Sequence, residues 1–268
     1  GRSVVVSDGV IPMPYLGFTM PIGDFGIGAY FSIPYGGGAS LSPDGPQRFH
    51  VIETQSYLME TGLSLAYQPV DWLRAGVSYR LGRGTLSKRA AMNTAALINS
   101  KTELSPPLDV TDPLFEGEQD MSIAGLGMGY ALGFSVFLPA KHELHLSYRS
   151  PMRVSMEGEV KLLPSNMLSL SATGRARGDL QYAQELELGW VLPVGRTRIL
   201  LQSAWVDWST MDVIDIDVDQ LSVSGEDPAT DALVDGSAIN ESGLLDSKLT
   251  IQNNLGHRST VYGGVAVD

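Results

Sequence analysis

Arg74, Arg80 and Arg149 share parity with small or polar neighbours. One stretch reads Arg74, Gly76, Ser78, Arg80; the other reads Glu143, His145, Ser147, Arg149. Guanidinium groups placed this way serve one of two purposes. They can take up a carboxylate head group. They can instead pair with Glu60, Glu143, Glu185 or Glu187 in an internal network, which is the favoured expectation because a charge withdrawn from water needs a partner. His142 and His145 resemble a metal pair, but three residues apart on a strand they point to opposite faces, so joint ligation is not expected. Asp212, Asp215, Asp217 and Asp219 offer oxygens for calcium, yet their spacing is not an EF-hand loop and a solvated acidic face is the simpler account. The chain has no G-x-S-x-G, P-loop or dinucleotide motif, so neither an enzyme nor a cofactor is expected.

A further set of residues suits binding rather than reaction. Leu86 to Ile98 reads as a helix with an apolar face of Leu86, Ala90, Met92, Ala95, Leu97 and Ile98, followed by Leu114 and Phe115. Leu162, Leu163, Met167, Leu168 and Leu170 cluster further on. Both groups fall in stretches that read as loops. Apolar residues there either line a groove for an acyl chain or another hydrophobe, or pack on each other.

The elements that must hold these residues are strands. Met121 to Ala140 carries no charge over twenty residues, which by length suggests a membrane helix. Its order contradicts that. Leu126, Met128, Tyr130, Leu132 and Phe134 alternate with Gly125, Gly127, Gly129, Ala131 and Gly133, a period of two. The same pattern recurs at 25–33, 57–68, 73–81 and 143–149, and again where Leu180, Tyr182, Leu186, Leu188 and Trp190 share a face, with Gln184 breaking the rhythm. Composition agrees. Of 268 residues 43 % are hydrophobic but only 18 % charged, and the opposing face holds Gly and Ser rather than Lys and Glu. There is no cysteine, hence no disulfide scaffold or thiolate zinc site. A net charge of -12 opposes nucleic-acid binding. That charge is local: eleven acids and no base lie between Arg198 and Lys248, and the rest holds 19 acids against 18 bases.

Connections separate a soluble sandwich from a membrane barrel. Short turns (21–25, 68–72, 139–142, 193–196) alternate with long segments at 34–49, 83–120, 161–178 and 212–247. Outer-membrane barrels alternate in this way. Tyr57 and Tyr67 lie ten residues apart on one face, a height of about 25 Å at ~3.3 Å per residue and ~40° tilt. About nine strands are expected, in one partial barrel domain over residues 1–268. An odd number and the start at Gly1 rather than Met predict a chain cut from a longer one.

Short motifs in order add a family. Gly133-Phe134-Ser135-Val136-Phe137-Leu138-Pro139, Leu146-Ser147-Tyr148-Arg149-Ser150 with Gly158, and Ala204-Trp205-Val206-Asp207-Trp208-Ser209 resemble the outer-membrane long-chain fatty acid transporters of the FadL/TodX type. So do Gly28-Ala29-Tyr30 through Pro34-Tyr35-Gly36, and Leu65-Ala66-Tyr67 before Val70-Asp71-Trp72-Leu73. The resemblance implies an all-β, antiparallel transmembrane β-barrel of a fourteen-stranded family, with the N-terminal hatch and the last four strands absent here. It implies a bacterial outer-membrane location, surrounding lipid or detergent, and a monomeric barrel when complete. The function it implies is passive transport of hydrophobic compounds, first of all fatty acids. It also implies a lateral gap at a kinked strand, for which Pro34, Gly36, Gly37 and Gly38 are candidates; the same glycines could simply begin a loop. A general porin and a soluble β-rich lipid-binding module are the alternatives.

Overall fold

The structure, a computed structural model, describes residues 13–101, 106–163, 170–211, 213–225, 248–252 and 257–267. Its strands are β1 (Tyr15–Ile22), β2 (Phe25–Ser40), β3 (Glu53–Val70), β4 (Leu73–Asn93), β5 (Glu116–Phe137), β6 (Glu143–Arg149), β7 (Met152–Leu163), β8 (Leu170–Tyr182), β9 (Glu185–Val194), β10 (Thr197–Asp207), β11 (Val213–Gly225), β12 (Lys248–Gln252) and β13 (His257–Val267). One short helix, α1 (Thr94–Lys101), follows β4. All strand pairings are antiparallel and belong to one sheet. Among the described residues no helix is long and apolar enough to cross a membrane.

Several of these strands are halves of one hairpin leg. β6 pairs with the lower part of β5 (Phe137↔Glu143 to Ala131↔Arg149) and β7 with its upper part (Met128↔Arg153 to Glu118↔Leu163). The break between them is Ser150-Pro151, where proline can offer no N–H to a ladder. β9 and β8 form the next leg, interrupted at Ala183-Gln184, and β10 and β11 the one after, interrupted by a 3-10 turn at Trp208–Met211. Counted as legs, the described strands make nine.

The breaks divide the sheet into two tiers of opposite polarity. Below them the outward side chains are apolar and exposed: Leu63 and Leu65 on β3, Val77 and Tyr79 on β4, Leu132 and Phe134 on β5, Leu186 and Leu188 on β9. Tyr130 and Tyr148 meet near the upper margin of this band with ring centroids 6.1 Å apart, and Phe25 stacks on Tyr67 at 4.7 Å near the lower one. Such a belt with aromatic margins is the lipid-facing wall of a β-barrel. Above the breaks the outward residues are charged, among them Arg89, Asp120, Arg153, Glu157, Glu159, Arg177 and Asp217, and the inward ones are apolar. Leu58, Leu86, Met121, Ile123, Met152, Val154, Met156, Val160, Leu180, Tyr182 and Ile216 form one buried cluster there.

The parity change arises at the breaks themselves. Arg149 and Met152 both face inward although three residues apart, and so do Tyr182 and Glu185. In β2 the register against β3 shifts between Ser32↔Glu60 and Tyr35↔Leu58, so Ile33 and Pro34 together oppose Met59 alone. That is a β-bulge. Close approach on the β5–β7 seam needs glycine. A Cβ on Gly125 would fall on the Ser155 carbonyl, and one on Gly158 on the Ser122 carbonyl.

These tiers correct three sequence expectations. Leu86 to Ile98 is not a helix: β4 runs on to Asn93, paired residue for residue with β5 to Glu116, and α1 begins only at Thr94. The segments expected as loops at 34–49, 83–120, 161–178 and 212–247 are strand in part, since β2 reaches Ser40, β4 reaches Asn93, β7 reaches Leu163, β8 starts at Leu170 and β11 covers Val213–Gly225. Their outward charges signal water, not absence of a sheet. Finally, Leu180 and Tyr182 do not share a face with Leu186, Leu188 and Trp190; the Gln184 break turns the first two inward.

Candidate functional site

The inner face at the level of the breaks carries a built cluster. Glu60 on β3 is wholly buried and takes three partners. Arg80 Nη2 donates to Glu60 Oε2 at 2.5 Å, Arg149 Nη2 lies 3.2 Å from both carboxylate oxygens, and Tyr30 Oη donates to Oε1 at 2.6 Å. Strand geometry explains the convergence. Glu60, Arg80 and Arg149 sit on inward positions of three different strands, and Tyr30 faces inward just below the β2 bulge. Arg80 Nη1 donates to the Ser150 carbonyl at 3.0 Å, which ties the cluster to the break between β6 and β7. Arg149 also faces Glu185 at 3.8 Å, at the foot of the next break. Buried charges survive only when paired and hydrogen-bonded; every charge here is paired, and among its buried polar atoms Arg80 Nε lacks a hydrogen-bond partner.

Directly above lies the apolar cluster. Tyr35, the first paired residue past the bulge, stacks on Tyr182 with centroids 5.3 Å apart and meets Trp208 edge-on at 5.7 Å and 84°. Gly82 is needed beneath it, because a Cβ there would collide with Met152 and would stand 2.8 Å from Leu58 Cδ1. The inner face therefore carries a close-packed apolar cluster resting on a paired ionic floor. Among the described residues no group of three or more His, Asp or Glu is placed to hold a metal ion.

The sequence-derived candidates divide. Arg80 and Arg149 come together on Glu60, in the network arrangement. Arg74 does not join them: it is exposed at the lower end, bonded to Gln68 Oε1 at 2.9 Å and lying over the Phe137 ring at 5.2 Å. Leu86 is buried in the apolar cluster and Leu162 packs partly against it, while Met92 and Phe115 are half-buried and Leu114 and Leu163 half-exposed. The side chains of Leu97 and Ile98, and Met167 and Leu168 altogether, lie outside the described residues. Pro34 sits in the β2 bulge, but Gly36, Gly37 and Gly38 pair regularly with Tyr57, Ser56 and Gln55.

The cavity at the outer end is elsewhere. About 840 Å³ opens between the loop after β2, the top of β4 and the residues before β5, lined by Leu41, Ile52, Ala91 and Pro113 with Arg48, Arg89, Glu116 and Glu118. Arg48 grips Glu116 there through Nε at 2.8 Å and Nη2 at 2.9 Å. Asn99 holds the loop after α1 by bonding both polar groups of the Leu108 backbone. The sequence showed Tyr35 and Trp208 within family motifs and Tyr182 on an alternating face but assigned none of them to a site. The one signal toward a site was the interrupted alternation at Gln184.

An apolar outward belt with aromatic margins, short turns at one end and long polar extensions at the other, defines an outer-membrane β-barrel wall. A family model described as outer membrane protein transport protein (OMPP1/FadL/TodX) matches residues 4–249, and the chain belongs to that family. Its place is thus the bacterial outer membrane. Solved structures share the fold. A Pseudomonas aeruginosa FadL homologue superimposes with a TM-score of 0.70 at 14 % identity, over 94 % of this chain and 56 % of its own. The Ralstonia pickettii toluene transporter TbuX gives 0.68 at 16 %, over 95 % of this chain and 64 % of its own. The Pseudomonas putida toluene transporter TodX gives 0.68 at 14 %, with 95 % and 64 % covered. The chain thus spans less than two thirds of these three neighbours. A comparison with curated proteins returns no match.

Proposed function

We propose that the protein, within a complete monomeric barrel surrounded by lipid, passes hydrophobic compounds across the outer membrane without energy input, with long-chain fatty acids as the first substrate class. The observation that carries this is the inner face itself. Leu58, Met152, Met156, Tyr35 and Tyr182 pack as an apolar cluster where a water-filled porin would present polar groups. A hydrophobe entering it leaves water without losing hydrogen bonds, whereas a hydrated solute would have to shed its shell. Arg149 at its floor, less buried than Arg80, is the guanidinium left to meet a carboxylate head group, since Arg80 is committed to Glu60 and the Ser150 carbonyl. The apolar residues near the outer end, Leu114, Phe115 and Leu163 among them, form the first contact for substrate, and the bulge at Pro34 is the weak point of the wall through which it leaves.

A second substrate class has its own support. Two of these structural neighbours are toluene transporters, and the inner cluster brings two aromatic rings, Tyr182 and Trp208, against Tyr35. Cells lacking their own hydrophobe transporter and carrying the full-length protein separate the two classes. Radiolabelled oleate and toluene are offered in turn; uptake of oleate alone supports the fatty-acid reading, and uptake of toluene alone replaces it with the monoaromatic one. Entry of small sugars with neither hydrophobe would make the protein a general porin.

A further inference from the structure

Tyr35 and the β8–β9 break stand on opposite sides of the inner face. β2 and β8 are separated in the sheet by β3, β4, β5 and β7, so their contact crosses the interior rather than following a ladder. Tyr35 makes that crossing: its ring lies against Tyr182 and Trp208, and its hydroxyl reaches the Ala183 carbonyl at 3.4 Å. Tyr182 in turn reaches back to the Tyr57 carbonyl at 3.4 Å. These bonds lie at the outer limit of hydrogen-bond length, so the ring contacts hold the crossing more than the hydroxyl does. Tyr35 also directly follows the Ile33-Pro34 bulge, where β2 is locally out of register with β3. The same strand is fixed just below the bulge by Tyr30 on Glu60. The bulge is therefore tethered on both sides, by a charge-assisted bond below and by aromatic packing above.

The two tethers differ in how they can be released. Breaking the Tyr30–Glu60 contact disturbs a buried ionic cluster. Withdrawing the Tyr35 ring from Tyr182 and Trp208 needs only another flat apolar group to take its place, because aromatic contacts accept any ring of suitable size. From this geometry we infer that Tyr35 is a substrate-displaced latch: its side chain occupies a slot for an aromatic or planar apolar group, and a hydrophobe that enters the slot frees β2 at the bulge. The inference rests on the transport reading above and adds to it which residue yields to the substrate.

The protein has no cysteine, so a cross-link can be placed cleanly. Full-length protein carrying Tyr35→Cys and Ala183→Cys is bridged in detergent by a short, reducible bis-thiosulfonate reagent and reconstituted in vesicles beside the wild type. Transport of toluene and of oleate is then followed with and without reductant. The latch predicts uptake by the bridged protein at the level of protein-free vesicles, restored when the bridge is reduced. Uptake by the bridged form at the rate of its reduced form overturns the latch, while absence of uptake by the wild type overturns the transport reading instead. A second measurement avoids transport and folding defects alike. In protein that keeps Tyr35 and carries fluorotyrosine, the Tyr35 resonance, assigned by its loss in Tyr35→Phe, shifts when toluene is added, and a resonance unmoved by toluene and by oleate counts against the latch.

Discussion

Arg80 and Glu60 form an ion pair of 2.5 Å between side chains exposed by only 1 % and 0 %. Arg149 and Tyr30 close around the same carboxylate. One buried anion thus joins β2, β3, β4 and β6 at the level where the sheet changes polarity. Removing it leaves two guanidinium groups without their shared partner. Glu60→Ala is expected to destabilise the protein by about 3–5 kcal/mol. Arg74→Ala, which deletes an exposed arginine, should stay within about 0.5 kcal/mol. Urea unfolding in detergent micelles, followed by tryptophan fluorescence, compares the two.

Glycine is required on the β5–β7 seam but not throughout β5. A Cβ at Gly125 would overlap the Ser155 carbonyl, whereas at Gly133 it would meet nothing within 4 Å. Gly125→Ala should cost about 1–3 kcal/mol through forced separation of the strands. Gly133→Ala should be neutral in the same unfolding assay.

Membrane depth is read from the outward face. Leu65 lies in the apolar belt, registered with Ile27 on one side and Val77 on the other. Leu63→Arg, one alternate position further into the belt, places a charge near the middle of the bilayer and should cost about 2–4 kcal/mol. Ser122, outward on β5 above the belt and opposite Ser87 and Glu159, should accept arginine without measurable loss. Equal penalties at both positions would remove the proposed boundary.

The outer tier carries one acid tuned by its neighbours. Arg153 donates to Asp179 Oδ2 at 2.5 Å and Ser155 to Oδ1 at 2.6 Å. The Arg153 guanidinium first, and the Ser155 hydroxyl next, hold the Asp179 carboxyl below the usual aspartate range. Because the folded pKa lies below the unfolded value of about 3.9, the contribution is complete above that pH and disappears as pH falls through the lower folded value. The pair is exposed, so its share of stability is small, about 0–1 kcal/mol. Arg153→Ala should move the Asp179 titration midpoint upward in carboxyl NMR.

Much of this was legible in the residues. Period-two alternation from Met121 to Phe137 excluded a helix and located the lipid-facing row of Leu126, Met128, Tyr130, Leu132 and Phe134, all exposed in the folded sheet. Short motifs ending in Pro139, Ser150 and Ser209 pointed to the family. The outer tier escaped because its polarity inverts. Arg89, Asp120, Glu157 and Arg177 look like loop residues when apolar-outward strands are expected, although they alternate with buried Ala90, Met121, Met156 and Ala176. The parity shifts at Pro34, Pro151 and Gln184 conceal that continuity, since each flips every later side chain to the other face. The site was half visible for the same reason. Arg80 and Arg149 lie below the breaks, where parity was read correctly. Tyr35 and Tyr182 lie above them, where it was not.

Passage of a hydrophobe through the barrel is the central claim, and flux in purified vesicles measures it most directly. Full-length protein is reconstituted in liposomes without any energy source, and entry of labelled oleate and toluene is timed against protein-free liposomes, with arabinose as the hydrophilic control. The account predicts accelerated entry of at least one hydrophobe and arabinose entry at background. Rapid arabinose entry with both hydrophobes at background would contradict it.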